Sequence, residues 1–245
     1  MIFFGDDFLK AVMFIHGLSA KQEDNEYFIN KMKNYRNIEL FTFTLPGHEN
    51  DTTTKSTGKE WLDKSEEELK KILKKYKKVT IVAHSMGTIL AVNLASRYKE
   101  VDKLVLISSA FKFGSFKQNK EDLKNILTNK VDKEVGTGFE GAIKKFFAIP
   151  KSVMIEYKKL ADNNKKNIKK VTCPTLLLHG DIDNVISVDS SKFVYDNLNC
   201  KKELVILENV RHQVFKSSKK EIITKYIYNF ITFNMLYKLS RKKKI

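Results

Sequence analysis

The stretch Val79-Thr80-Ile81-Val82-Ala83-His84-Ser85-Met86-Gly87 decides the reading of this chain. A buried-strand pattern runs straight into Ala83-His84-Ser85-Met86-Gly87, and an apolar helical pattern follows with Ile89, Leu90, Val92 and Leu94. The order is strand, sharp turn, serine, helix. A serine in such a turn has strained backbone, so the residues two before and two after it must be small. Gly87 meets this fully, and Ala83 adds one methyl where glycine is usual. The turn is expected to expose the Ser85 hydroxyl at the carboxyl edge of a sheet, with its backbone at a helix N-terminus.

Outward from this motif, Ala11–His16, Ile38–Thr44, Leu104–Ser109, Thr175–His179 and Glu203–Leu207 also read as short, largely apolar strands. Such near-continuous Val/Ile/Leu runs suit parallel strands buried on both faces. Amphipathic helical segments lie between them. One spans about Lys59–Lys77, with Leu69, Ile72, Leu73 and Tyr76 on one face, and another spans Lys219–Leu236. The alternation predicts an α/β fold: a mostly parallel sheet with helices on both faces. From Phe111 to Lys170 no strand pattern appears. The segment is lysine-rich and carries Phe113, Phe116, Phe139, Phe146 and Phe147. An insertion of about 60 residues is too long for a plain connection. Residues 111–170 are therefore expected to form a small helical cap over a core built from 1–110 and 171–245. The basic run Arg241–Lys244 reads as a frayed terminus.

Composition narrows the function. The 245 residues are 42% hydrophobic, enough for one sizeable core. Two cysteines, Cys173 and Cys200, supply neither a disulfide framework nor a four-thiolate zinc site. The first apolar run is broken by Asp6, Asp7 and Lys10, so neither a secretory segment nor a spanning helix is expected, and the protein reads as cytoplasmic. The net charge is +16, yet only Arg36, Arg97, Arg211 and Arg241 are arginines. Readers of nucleic acid concentrate their charge and favour arginine, so no nucleic-acid partner is expected. The dispersed lysines, together with abundant Asn and Ile, fit a compositional bias; transient contact with an anionic membrane surface is the functional alternative. No phosphate-binding glycine motif and no His/Cys cluster of metal spacing occurs, so neither cofactor nor metal is expected.

A serine hydroxyl is a weak nucleophile without a base and an acid to orient that base. Of five histidines, His16 and His179 end buried strands, His84 points away from Ser85, and His48 follows Pro46-Gly47 in a loop. His212 lies between the last predicted strand and the C-terminal helix and is the best-placed base, with His48 the weaker competitor. For the acid, His179-Gly180-Asp181-Ile182-Asp183 offers two carboxylates. Asp183 is preferred because it lies deeper in the loop and is anchored by Val185 and Ile186; Asp181 is the alternative. The order serine, aspartate, histidine is the one used on doubly wound sheets. Finally, Phe14-Ile15-His16-Gly17-Leu18 ends a strand where the backbone N–H of Leu18 could join that of Met86 as an oxyanion hole.

His16-Gly17, Pro46-Gly47-His48, Ala83-His84-Ser85-Met86-Gly87, His179-Gly180-Asp181-Ile182-Asp183 and Arg211-His212 resemble, in order and spacing, the α/β-hydrolase superfamily. The resemblance covers nearly the whole chain and is nearest to small capped carboxylesterases and monoacylglycerol-lipase or lysophospholipase-like enzymes. It implies Ser85 as nucleophile, Asp183 as acid, His212 as base, and the Leu18 and Met86 N–H groups as oxyanion hole. Ala83, Glu49 and Arg211 stand where the family often has glycine. The expected activity is hydrolysis of carboxylic, including lipid, esters with an apolar acyl or alkyl group. The same triad could instead act on amides or peptides, or transfer acyl groups. Less favoured are a C–C bond hydrolase, a cofactor-free haloperoxidase, and a non-catalytic binding module that has kept the fold.

Overall fold

The computed structural model describes residues 9–20, 23–49, 54–112, 149–233 and 241–244. Its strands are β1 (Lys10–Ile15), β2 (Ile38–Thr42), β3 (Val79–His84), β4 (Val101–Ile107), β5 (Thr175–Gly180), β6 (Lys202–Leu207) and β7 (Arg241–Lys244). They form one sheet in the order β2-β1-β3-β4-β5-β6-β7, and every neighbouring pair is parallel. The basic run expected to fray thus adds an edge strand, pairing with Glu203–Ile206 of β6. Lysine disfavours burial but not an edge ladder, where backbone groups make the bonds.

Side chains alternate along each buried strand, so the sheet has two apolar faces. Met13, Ile15, Ile81, Ala83, Leu104 and Leu106 face one layer. That layer holds helices α2 (Gly58–Leu73), α3 (Gly87–Ala95), α4 (Lys151–Asn164) and α5 (Val188–Asn197). Val12, Phe14, Val82, Val105, Leu176 and Val205 face the other, covered by α1 (Glu26–Lys33) and α6 (Lys220–Thr232). Helix α2 begins at a capping box: the Thr57 hydroxyl accepts from Glu60 N–H, and Glu60 accepts from Thr57 N–H at 2.7 Å. Such caps contribute about 1 kcal/mol and mark the start of the periodic stretch.

The proposed cap falls largely on residues 113–148, including its five phenylalanines, and these lie outside the described residues. Its last part is seen. Val153, Tyr157, Leu160 and Ala161 of α4 are buried in the same layer as α2 and α3. The Tyr157 hydroxyl donates to the Ala110 carbonyl at 2.9 Å, tying α4 to the end of β4. Among the described residues no helix is long and apolar enough to cross a membrane.

The strand order reverses between β1 and β3. The chain leaves β1 towards β2 on one side, and β3 lies on the other. Helix α1 after β1 and helix α3 after β3 cover opposite faces, so the two connections diverge and leave a crevice at the carboxyl ends of β1 and β3. Ligands of open α/β sheets bind at such a point.

Candidate active site

Ser85 stands directly after β3, at the mouth of this crevice. Its φ is +53°, a left-handed conformation that costs a non-glycine residue about 1–3 kcal/mol. The surroundings hold it there. Ser85 N–H donates to the Ile107 carbonyl at 2.9 Å, and its own carbonyl accepts from Thr88 N–H at 2.9 Å and the Thr88 hydroxyl at 2.6 Å. Gly87 is required by close packing: a Cβ there would lie 2.5 Å from the Ile15 carbonyl oxygen and 2.6 Å from that of His16. Ala83, two residues before the serine, is fully buried between Ile15 and Leu106, so its methyl is accommodated in the ladder.

The register Ile15↔Ala83, continued by two residues, sets Gly17 beside Ser85. A Cβ added at Gly17 would lie 2.8 Å from Ser85 Cβ and 3.4 Å from its Oγ. The Gly17–Leu18 peptide therefore passes next to the serine. Met86 follows the serine directly and is the N-cap of α3, whose positive dipole end favours developing negative charge.

Asp183 and His212 come together from two loops. His212 Nδ1 is 2.9 Å from Asp183 Oδ2, and both side chains are nearly inaccessible. An ionised carboxylate only accepts, so Nδ1 carries the proton and Nε2 is left as a lone-pair base. Asp183 Oδ1 also accepts from Val185 N–H and Ile186 N–H, each at 2.9 Å. Burial by itself would raise the Asp183 pKa. Coulombic attraction to the His212 imidazole when it is protonated, and the hydrogen bonds from His179 and His212, outweigh it and hold the carboxyl well below its ordinary range. Asp181 is exposed, and its carboxylate accepts from Asn209 N–H at 2.7 Å, bracing the loop that carries His212.

Two further histidines attach to these groups; the sequence reads His179 only as a strand end and His84 only as pointing away from Ser85. His179 Nε2 lies 3.2 Å from Asp183 Oδ2 and 2.9 Å from the Ile186 carbonyl, so this nitrogen bears the proton. Its Nδ1 then accepts from the Ser191 hydroxyl at 2.7 Å. The His179-to-Asp183 spacing of four residues was the available signal, but it says nothing of direction in a loop. His84 Nε2 is 3.0 Å from the His212 carbonyl, and the two rings are 4.8 Å apart. The residue before the serine thus touches the residue expected to be its base. Burial, and next the charge of His212, lower the His84 pKa to about 3, so it stays neutral. His48 packs edge-on against His16 with ring centroids 5.2 Å apart and hydrogen-bonds the Pro46 carbonyl; no contact joins it to Asp183.

Among the described residues no group of three or more His, Cys, Asp or Glu is arranged to hold a metal. Both cysteines are free; burial pushes the Cys173 thiol up to about 12, which removes its nucleophilic form.

A doubly wound sheet with a strained serine after β3 and an Asp–His pair after β5 and β6 is the layout of an α/β-hydrolase. The chain belongs to that family: residues 10–148, more than half its length, match the alpha/beta hydrolase fold. Residues 147–219 match a second pattern, serine aminopeptidase S33. No curated protein sequence matches the chain. Among solved structures it is similar to a monoacylglycerol lipase of Paleococcus ferrophilus, with TM-score 0.71, 15% identity, and coverage of 92% of this chain and 96% of that one. A soluble variant of monoglyceride lipase from Saccharomyces cerevisiae gives TM-score 0.69 and 16% identity over 93% of this chain and 87% of that one. A structure of the metagenome-derived lipolytic enzymes LipS and LipT gives TM-score 0.69 and 18% identity over 90% of this chain and 92% of that one.

Proposed function

We propose that this protein is a serine hydrolase that cleaves carboxylic esters, lipid esters among them, through an acyl-enzyme on Ser85. The observation that carries the reading is the Asp183–His212 hydrogen bond, 2.9 Å long, on loops clamped to the strand that presents Ser85. In this reading His212 Nε2 removes the Ser85 hydroxyl proton as Oγ attacks the ester carbonyl. Asp183 keeps the imidazole in its Nδ1–H tautomer and stabilises the imidazolium that forms. The Leu18 and Met86 N–H groups receive the oxyanion, a term worth about 2.7–4 kcal/mol per donor. Collapse of the tetrahedral intermediate expels the alcohol, which takes the proton back from His212. Water, activated by the same imidazole, then attacks the acyl-enzyme and releases the acid.

Residues 111–170, read as a helical cap whose phenylalanines offer an apolar acyl site, would favour fatty or alkyl esters over small polar ones. The likeness to lipases of the same fold agrees with that substrate class without identifying a member of it. The lysine excess would draw the enzyme to anionic lipid surfaces, and no cofactor enters any step. Ser85→Ala should abolish p-nitrophenyl ester hydrolysis and fluorophosphonate labelling at an unchanged melting temperature. A rate within tenfold of wild type rejects the assignment.

A second reading, amide or peptide hydrolysis by the same triad, is favoured by the serine aminopeptidase match over 147–219. Comparing turnover of an ester and an aminoacyl anilide of equal acyl group separates the two.

A further inference from the structure

His16 is a buried imidazole that the proposed chemistry leaves unused. It follows β1 directly, is 1% exposed, and both its nitrogens are hydrogen-bonded. Nε2 lies 3.0 Å from Leu45 N, and Nδ1 lies 2.8 Å from the Gly17 carbonyl oxygen. A backbone N–H can only donate. Nε2 is therefore the unprotonated nitrogen, and Nδ1–H donates to Gly17. The tautomer follows from the partners alone.

The Gly17 carbonyl and the Leu18 N–H belong to one peptide unit. That unit is planar and trans, so its C=O and N–H point in opposite directions and cannot be aimed separately. Holding the carbonyl on His16 sets the direction of the Leu18 N–H, in a segment that passes beside Ser85. Ala20 N–H reaches the same carbonyl at 3.4 Å, so the imidazole supplies the shorter of two bonds to it. Donation to a peptide oxygen also polarises the unit and strengthens its N–H as a donor.

We propose that His16 is a positioning residue for the transition state: its Nδ1–H fixes the Gly17–Leu18 peptide so that the Leu18 N–H faces the oxyanion formed on Ser85. The inference rests on the Ser85 hydrolase reading and adds a role for a side chain that never touches substrate. Burial lowers the His16 pKa to about 4, against the opposing bond to Gly17, so the ring remains neutral and keeps its Nε2 lone pair for Leu45 near neutral pH. The Leu45 bond makes the imidazole a strut between the loops after β1 and β2.

Two substitutions separate the two bonds. His16→Asn places an amide N–H near the Nδ1 position and retains the donor to Gly17. His16→Gln reaches the Nε2 position, where its carbonyl accepts from Leu45 N–H, and abandons Gly17. With a p-nitrophenyl ester, H16Q should lower kcat about 100-fold with KM within about twofold, whereas H16N should stay within about tenfold of wild type. Affinity for a trifluoromethyl ketone, which forms an oxyanionic hemiketal on the serine, should fall in parallel with kcat across the variants. If both variants lose activity equally and in step with melting temperature, or if the ketone binds all forms alike, His16 only supports the fold and the proposal is overturned. Nitrogen-15 imidazole spectra of the wild-type protein provide a test needing no variant: Nδ1 protonated and Nε2 bare is expected, and the reverse tautomer refutes the mechanism. Retention of activity by Ser85→Ala would instead reject the underlying hydrolase reading, so the two failures are distinct.

Discussion

Lowering the pH from 7 to 5 should destabilise the fold by about 4 kcal/mol, chiefly through His16 and His84. Both are buried and neutral, with pKa values of about 4 and about 3 against 6.5 for a free histidine. Burial is the largest cause in each. Below pH 6.5 the unfolded chain takes up protons at these positions and the folded chain does not, so acid favours unfolding. Their contribution is complete above about 6.5 and is lost as the pH falls towards about 4 for His16 and about 3 for His84. One pH unit below 6.5 is worth about 1.4 kcal/mol per group, so at pH 5 each has lost about 2 kcal/mol. Asp183 would add to this loss only at lower pH, because its depressed pKa places its own loss below about 3.8. Urea unfolding at pH 7, 6 and 5 measures the slope, and His16→Asn should remove about half of it. Stability that is flat or rises as the pH falls, or an unchanged slope in the variant, would show that these imidazoles are protonated in the native protein.

Asp183→Asn should lower kcat about 10⁴-fold by releasing the His212 tautomer, while Asp181→Asn, whose carbonyl can still accept from Asn209, should stay within about threefold. Steady-state kinetics of the pair decide it, and the reverse ranking makes Asp181 the acid. Gly180→Ala should destabilise by about 3 kcal/mol and depress kcat, because its Cβ would meet the Val210 carbonyl oxygen at 2.0 Å, two residues before His212. A wild-type melting temperature for that variant contradicts the packing. If the cap forms an acyl pocket, kcat/KM across p-nitrophenyl esters from acetate to palmitate should rise about fourfold per methylene over the first several carbons and then fall. A flat profile removes the pocket.

Parallel strands buried on both faces must be apolar throughout, and helices covering them must be apolar on one side. Local periodicity therefore carries the layer plan, and the strands around Ile81, Leu106, Leu177 and Val205 are legible in the sequence. The serine turn was legible from residue size: Gly87 is glycine because the Ile15 and His16 carbonyls leave no room for a Cβ, and Ala83 is the small residue on the other side of the serine. β7 was not legible, since an edge strand made by Arg241–Lys244 is set by pairing with β6 and leaves no apolar pattern.

What the chain alone determined is the set of chemical types and their order, serine then carboxylate then imidazole, on a parallel α/β scaffold. Direction belonged to the tertiary structure. Asp181 and Asp183 are two residues apart and chemically alike, and only the folded loop turns one into the interior against His212 and His179 while the other faces solvent and holds Asn209. Likewise His16, His84 and His179 look alike in sequence as histidines at strand ends. Their partners across the fold, the Leu45 N–H, the His212 carbonyl and the Asp183 carboxylate, are set by strands and loops that meet in space. A hydrogen bond depends on position and angle to within a few tenths of an ångström, and no local pattern of residues encodes that.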